Sequence, residues 1–146
     1  AQGVSRRFGS RLSPAGYRIG AELAKSPFLG ALFEGFIAAE IVKAHVNRGR
    51  RPEIYFFRDE QGLEVDFLVS GASGSISLVE CNAARTVTPA MAGPMQRLAE
   101  ALRKKRPSGT RVEMSLVHHA PKVPVGTQAV APGVRAWAWQ EFVGRL

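Results

Sequence analysis

Two carboxylates, Asp66 and Glu80, stand in segments that are otherwise typical of buried β-strands. Fourteen residues separate them (80 − 66), a spacing that allows the two acids to face each other across adjacent strands. Two carboxylates suit Mg²⁺ or Mn²⁺, hard ions that prefer oxygen ligands and keep several waters. Such an ion activates water and stabilises charge on phosphate, so the pair predicts a metal site with the chemistry of phosphodiester cleavage.

The period-two alternation of residues 63–69 predicts which side chains share a strand face. It places Val65 and Phe67 on one face and Glu64 and Asp66 on the other. Asp66 can therefore simply face water, and Glu64 is interpreted as a surface charge or a residue that supports the site. Glu80 lies on an apolar strand face, where a carboxylate without a partner is costly, and this cost favours a functional purpose.

The surrounding sequence predicts the elements that position these acids. A helix over residues 27–46 opens at Ser26-Pro27 and repeats apolar residues at three- and four-residue steps. Three strands follow, at 53–58, 63–69 and 76–82, joined by short turns as in an antiparallel meander. A second helix opens near Pro89, with a kink or restart at Pro94, and strands at 112–118 and 134–139 precede a terminal helical turn. The core order helix–strand–strand–strand–helix–strand predicts an α/β fold with a mixed central sheet flanked by helices.

Length and composition predict one globular domain. The chain has 146 residues, of which 45% are hydrophobic and 22% charged, so wholesale disorder is excluded. Residues 1–25 are expected to form a loosely ordered basic lead-in to a domain over 26–146. No apolar run is long enough to cross a bilayer and the start lacks a secretory signal, so we expect a cytoplasmic protein with no membrane partner. A lone cysteine, Cys81, excludes an internal disulfide and a thiolate zinc cluster.

The charge balance favours a polyanionic partner without proving one. Twenty Lys and Arg face twelve Asp and Glu, which gives a net charge of +8. DNA or RNA is a plausible partner, although basic proteins without a nucleic-acid role are at least as common. The candidate nucleic-acid-binding residues end the second predicted helix: Arg103, Lys104, Lys105 and Arg106. A solvated helix end that suits the helix dipole is the alternative interpretation.

Four segments together resemble a known family. They are residues 30–40 (GALFEGFIAAE), 55–59 (YFFRD), 62–69 (GLEVDFLV) and 78–82 (LVECN). They resemble the carboxy-terminal domain of unknown function that follows the ATPase module in many prokaryotic AAA-type P-loop ATPases, a domain similar to restriction-endonuclease-like folds of the PD-(D/E)xK group. The resemblance covers residues 26–145 and implies that fold, together with an amino-terminal ATPase module in the parent protein. No Gly-x-x-x-x-Gly-Lys-Ser/Thr element occurs, so the chain itself holds no P-loop ATP site and is either a fragment or a stand-alone relative.

The resemblance also implies roles for four residues. Glu34 would match the acid of the first helix, Asp66 the metal ligand of the second strand, and Glu80 the first acid of the E-x-K element. Asn82 stands where the family pattern has lysine. A lysine there orients the attacking water and stabilises developing phosphate charge, which a neutral amide cannot do. Because losing one such group costs roughly 10²–10³ in rate, we expect cleavage to be weak or absent.

The sequence is therefore compatible with three functions. The loss of lysine favours an accessory nuclease-like domain of an ATP-binding AAA-type ATPase, which binds nucleic acid with impaired or no cleavage. An active but slow Mg²⁺-dependent DNA nuclease is the second, and it would need positive charge from elsewhere, with Arg58 or Arg85 as candidates. A protein-interaction domain that regulates the ATPase is the third.

Overall fold

The computed structural model describes residues 25–71, 74–84, 86–105, 109–119 and 128–146. The predicted basic lead-in, residues 1–25, lies outside these ranges except for its last residue. The elements in chain order are α1 (Leu29–Asn47), β1 (Ile54–Arg58), β2 (Glu64–Ser70), β3 (Ile76–Asn82), a 3₁₀ turn (Pro89–Ala92), α2 (Gly93–Lys105), β4 (Val112–His118), β5 (Gln128–Ala131), β6 (Val134–Ala138) and α3 (Trp139–Arg145). Within the described ranges no helix combines the length and apolar character needed to cross a membrane.

The six strands form one mixed sheet in the order β1-β2-β3-β4-β6-β5. β1, β2 and β3 pair antiparallel, as expected for strands joined by short turns. β4 follows α2 and pairs parallel with β3, and β6 pairs parallel with β4. The predicted α/β fold with a mixed sheet flanked by helices is confirmed, including the core order helix–strand–strand–strand–helix–strand. The edge strand β5, which pairs antiparallel with β6, was not predicted.

Two apolar cores lie on opposite faces of the sheet. One is built around α2 and includes Leu78, Met95 and Leu116. The other is built around α1 and α3 and includes Ile37 and Val79. Because Leu78 and Val79 are consecutive residues of β3, their assignment to different cores shows that the strand alternation predicted from sequence positions both helix layers.

The sequence signals at the end of α1 and at the start of the second helix match the structure, but the predicted opening of the first helix does not. α1 begins at Leu29 with Phe28 as its N-cap and without a side-chain capping bond, two residues after the predicted first position, Pro27. The Ser26 hydroxyl instead accepts a hydrogen bond from the backbone N–H of Phe28.

α1 ends at Asn47, and Gly49 follows with a φ of 65°, a left-handed conformation that glycine adopts at low cost. The second helix opens with a 3₁₀ turn at Pro89–Ala92, and α2 restarts at Gly93, immediately before Pro94. The predicted restart at Pro94 is therefore confirmed.

A β-bulge interrupts the regular alternation of β2. The pairs Ile54↔Val69 and Tyr55↔Leu68 are followed by Phe57↔Val65, so that two residues of β2, at positions 66 and 67, oppose one residue of β1. As a consequence Val65 belongs to the α2 core, whereas Phe67 packs against the α1 core. The prediction that Val65 and Phe67 share one face, with positions 64 and 66 on the other, is wrong because the extra residue reverses the alternation.

Candidate functional site

The bulge in β2 brings Asp66 against the backbone of β3. The last paired position of the two strands before this point is Phe67↔Val79. Beyond it, Oδ2 of Asp66 accepts a hydrogen bond of 2.7 Å from the backbone N–H of Cys81. The carboxylate thus takes the place of a backbone acceptor, which fixes its position at the point where β2 and β3 part.

Glu80 lies beside Asp66 and is half-buried. Its carboxylate accepts a hydrogen bond from the backbone of Asp66, while its Oε2 atom is buried and has no hydrogen-bond partner among the residues that the structure describes. Burial, followed by the negative charge of Asp66, raises the pKa of Glu80 to about 8. At neutral pH the protonated form therefore predominates for Glu80 in the protein alone.

Asp66 is also less acidic than an ordinary aspartate. Burial raises the pKa of Asp66 to about 6, against the opposing effect of the hydrogen bond from Cys81. The charges of Glu34 and Glu64 add to the increase. The structure therefore brings Asp66 and Glu80 together, as the cross-strand spacing predicts, in an environment that disfavours negative charge.

Glu34 extends from α1 toward this pair. Glu34 is half-buried, and in the sequence it stands between the buried residues Phe33 and Ile37. Its negative charge raises the pKa values of Asp66, Glu80 and Cys81. The predicted first-helix acid therefore lies within electrostatic range of both strand acids. Glu64, interpreted from sequence as a surface or supporting charge, is exposed and acts on the same two strand acids.

Asn82 faces the start of α2 and uses its amide locally. Its Nδ2 atom donates to Sδ of Met91 at 3.1 Å, and its Oδ1 atom accepts from the backbone N–H of Ala84 at 2.7 Å. The latter is an Asx-type turn that holds the chain after β3. Position 82, where the resemblance implies a lysine, thus carries a neutral side chain that stabilises the following loop.

No positive charge compensates the acids within the described part of the chain. The charged groups that shift the pKa values of Asp66 and Glu80 are all carboxylates. Arg58, one candidate to replace the lysine, lies 3.9 Å from Glu64, measured from Nε to Oε2, and pairs with that outer acid. Arg85, the other candidate, lies outside the described residues. The site therefore has an excess of negative charge that a cation would relieve.

The acids fit a hydrated divalent cation better than a fully protein-bound one. Asp66 and Glu80 supply hard oxygen donors, and Oε2 of Glu80 is a buried acceptor without a partner. In the described ranges no three His, Cys, Asp or Glu side chains are arranged to hold one metal ion. Burial and the neighbouring acids raise the pKa of the Cys81 thiol, so a thiolate ligand is not expected here. An ion that keeps several waters, such as Mg²⁺, suits this two-carboxylate set.

The basic residues at the end of α2 lie away from the acids. Asn82 contacts the segment that precedes α2, whereas Arg103, Lys104 and Lys105 end that helix, 13 residues long and hence roughly 20 Å in length. All three are exposed, and Arg106 lies outside the described residues. The structure thus does not join the candidate nucleic-acid-binding residues and the acids into one site.

A family comparison identifies the chain at the level of its domain. Residues 29–126, from α1 through β4, match the family model described as Domain of unknown function (DUF4143). The chain belongs to this family. No curated protein and no solved structure matches it. The DUF4143 match covers α1, β2 and β3, and hence all the acids of the site described above.

Proposed function

We propose that this DUF4143 domain is a nuclease-like module that binds nucleic acid and whose cleavage is impaired or lost. The proposal includes a restriction-endonuclease-like ancestry and an amino-terminal AAA-type ATPase module in the parent protein. One observation carries it: Asp66 and Glu80 meet where β2 and β3 part, while Asn82, two residues after Glu80, is neutral and hydrogen-bonded to the following loop. This is the arrangement expected of a D…E-x-K site without its lysine.

The residues of the site would divide the chemistry in a defined way. Asp66 and Glu80 would hold Mg²⁺ or Mn²⁺, which when bound acidifies a coordinated water and neutralises phosphate charge. Because the pKa of Glu80 is raised, its carboxyl group would have to release a proton before binding a cation. Glu34 adds negative charge from α1. Asn82 can orient neither the attacking water nor the phosphate by positive charge, so this step is expected to be slow or absent.

Nucleic-acid binding draws support from charge and exposure. The chain carries a net charge of +8, and the end of α2 presents Arg103, Lys104 and Lys105 to solvent. Such side chains bind phosphate without reading sequence, and the affinity falls steeply as salt rises. This property separates nucleic-acid binding from protein interaction.

The test measures binding of duplex and single-stranded DNA across a salt series. We expect the affinity to fall as a power of the salt concentration, so that the logarithm of the affinity declines linearly with the logarithm of the salt concentration. Charge reversal at Arg103 and Lys104 should make this line less steep, because each lost phosphate contact reduces its slope by about one. The matched control reverses Arg48 and Arg50, which are exposed beyond the end of α1. Absent binding, or binding insensitive to salt, would refute the nucleic-acid role.

Incubation of the same DNA with Mg²⁺ or Mn²⁺ tests the impaired site. We expect little or no cleavage by the native chain and a gain of cleavage activity in the Asn82→Lys variant. The double variant Asn82→Lys, Asp66→Asn should lose that activity again. Cleavage by the native chain that disappears in Asp66→Asn would instead establish the slow Mg²⁺-dependent nuclease. In that case Arg58 is the described residue to examine as the source of positive charge.

Protein interaction is the second candidate function, and the exposed face of α1 favours it. Phe28, Leu32 and Phe36 follow each other at four-residue steps and are 70%, 54% and 39% exposed. Such a stripe is typical of a partner-binding helix face. The attached ATPase module would be the expected partner if the DNA-binding test fails.

A further inference from the structure

A groove of about 740 Å³ lies against the beginnings of the parallel strands β3, β4 and β6. Its floor includes Ser77 near the beginning of β3 and Ser115 of β4, and its walls include residues of α1 and α3. Glu80 instead lies near the end of β3 and alternates toward the α2 face. Asp66 and Glu80 are not among the residues that line the groove.

Two arginines in the groove have no acidic partner within the described ranges. Arg111 also lines it but is paired with Glu113 at 2.6 Å. Arg135 is exposed on β6 without an ion pair. Arg145 of α3 lies over the Trp137 ring, with Cζ 4.4 Å from the ring centroid. Among the described residues, the groove therefore presents two guanidinium groups without an acidic partner, and one of them, that of Arg145, lies over an aromatic ring.

The floor between these arginines is partly apolar and partly hydroxylic. Ile41 and Val79 lie beneath the floor and are almost completely buried, and the half-buried residues Ser77 and Ser115 contribute hydroxyls that can donate or accept hydrogen bonds. Cations at the rim over such a floor match a ligand with a flat, hydrogen-bonding body and a phosphate group. The volume lies within the range of about 300–1,000 Å³ that is usual for sites of small organic groups.

We propose that this groove binds a nucleotide unit of single-stranded nucleic acid. Arg135 contacts a phosphate, and the Arg145 guanidinium, held by Trp137, contacts a phosphate or stacks on a base. In a single strand the bases are free to reach a recessed floor, whereas in a duplex they are stacked inside and only the phosphates are presented. The inference rests on the proposed nucleic-acid role and names its ligand class and surface.

The test compares Arg135→Glu with Arg50→Glu by fluorescence anisotropy of a labelled single-stranded oligonucleotide and of the same sequence as duplex. Both substitutions change the net charge equally, and both residues are exposed, but only Arg135 lines the groove. We expect Arg135→Glu to weaken single-strand binding about tenfold and to lower its salt slope by about one. Arg50→Glu should weaken it less than about twofold, and Arg135→Lys should retain most of the affinity, because charge is preserved.

Two results would overturn the assignment while leaving the proposed function intact. One is equal weakening by Arg135→Glu and Arg50→Glu, which would show only long-range charge. The other is loss of duplex binding as large as the loss of single-strand binding. If the native chain binds neither nucleic acid, the proposed function and this inference both fail. Displacement of the oligonucleotide by polyglutamate at a lower concentration than by unlabelled single-stranded DNA would assign the groove to an acidic peptide instead.

Discussion

The folded structure changes the acidity of the Glu80 side chain to an extent that its sequence context does not predict. A strand-face argument predicts that this residue is partly buried, and the structure confirms it. Strand alternation does not predict that Oε2 has no hydrogen-bond partner in the described part of the chain, or that Asp66 lies close enough to contribute to raising the pKa of Glu80 to about 8. Both features belong to the tertiary structure around the bulge, where Oδ2 of Asp66 accepts a hydrogen bond from the backbone N–H of Cys81 in β3.

The pKa of Glu80 predicts that stability decreases as pH rises. The folded value of about 8 is above the ordinary value of 4.5, so the folded chain binds more protons than the unfolded chain between these values. We expect the native chain to lose about 1–2 kcal/mol relative to Glu80→Gln between pH 5 and pH 8.5, a loss moderated by partial solvent exposure. Urea unfolding across this range measures the difference.

The matched control for this measurement is Glu60→Gln. Glu60 is an exposed acid in the turn before β2. The control should follow the native pH dependence. If the unfolding free energies of the native chain and of Glu80→Gln change by the same amount from pH 5 to pH 8.5, the pKa of Glu80 is not raised in the folded chain.

At the scale of the elements, α1 carries apolar residues on both sides, but only one side packs against the sheet. Ile37 is completely buried against the sheet, whereas Leu32 is 54% exposed on the same helix. We expect Ile37→Ala to lower the free energy of unfolding by about 2–5 kcal/mol, because it leaves a cavity in the α1 core. Leu32→Ala should lower it by less than about 0.5 kcal/mol.

Urea unfolding measures the loss of unfolding free energy in each variant, and the ratio of the two losses tests the prediction. Comparable losses for Ile37→Ala and Leu32→Ala would mean that the outer face of α1 is covered in the folded chain. That result would also weaken the case for a free partner-binding face at Phe28, Leu32 and Phe36.

The elements show where sequence reasoning succeeds and where it stops. The helices and the first four strands follow from apolar periodicity and from Gly and Pro at their ends, so their order and the parallel β3–β4 pairing were predictable. The bulge at Asp66 was not, because residues 63–69 alternate regularly in sequence and only the pairing with β1 reveals the extra residue. β5 is four residues long and depends on β6 for its pairing, so local sequence gave little signal.

At the scale of the whole molecule, the sheet separates opposite charges. The acids gather near the end of β3, whereas Arg111 and Arg135 lie near the beginnings of β4 and β6. The net charge of +8 predicted a polyanionic partner but not this separation. A nucleic acid held by the basic surfaces would therefore approach the acids favourably only when a cation reduces their charge.

The central claim, that Asp66 and Glu80 share one cation, is tested most directly by thermal unfolding in the presence of Mn²⁺ at pH 7.5. A cation that binds only the folded chain raises the unfolding temperature with saturable dependence on its concentration. We predict a rise of several degrees for the native chain and for Glu60→Gln, and no rise for Asp66→Asn or Glu80→Gln. An unchanged unfolding temperature for the native chain, or an equal rise in the two site variants, would contradict the account.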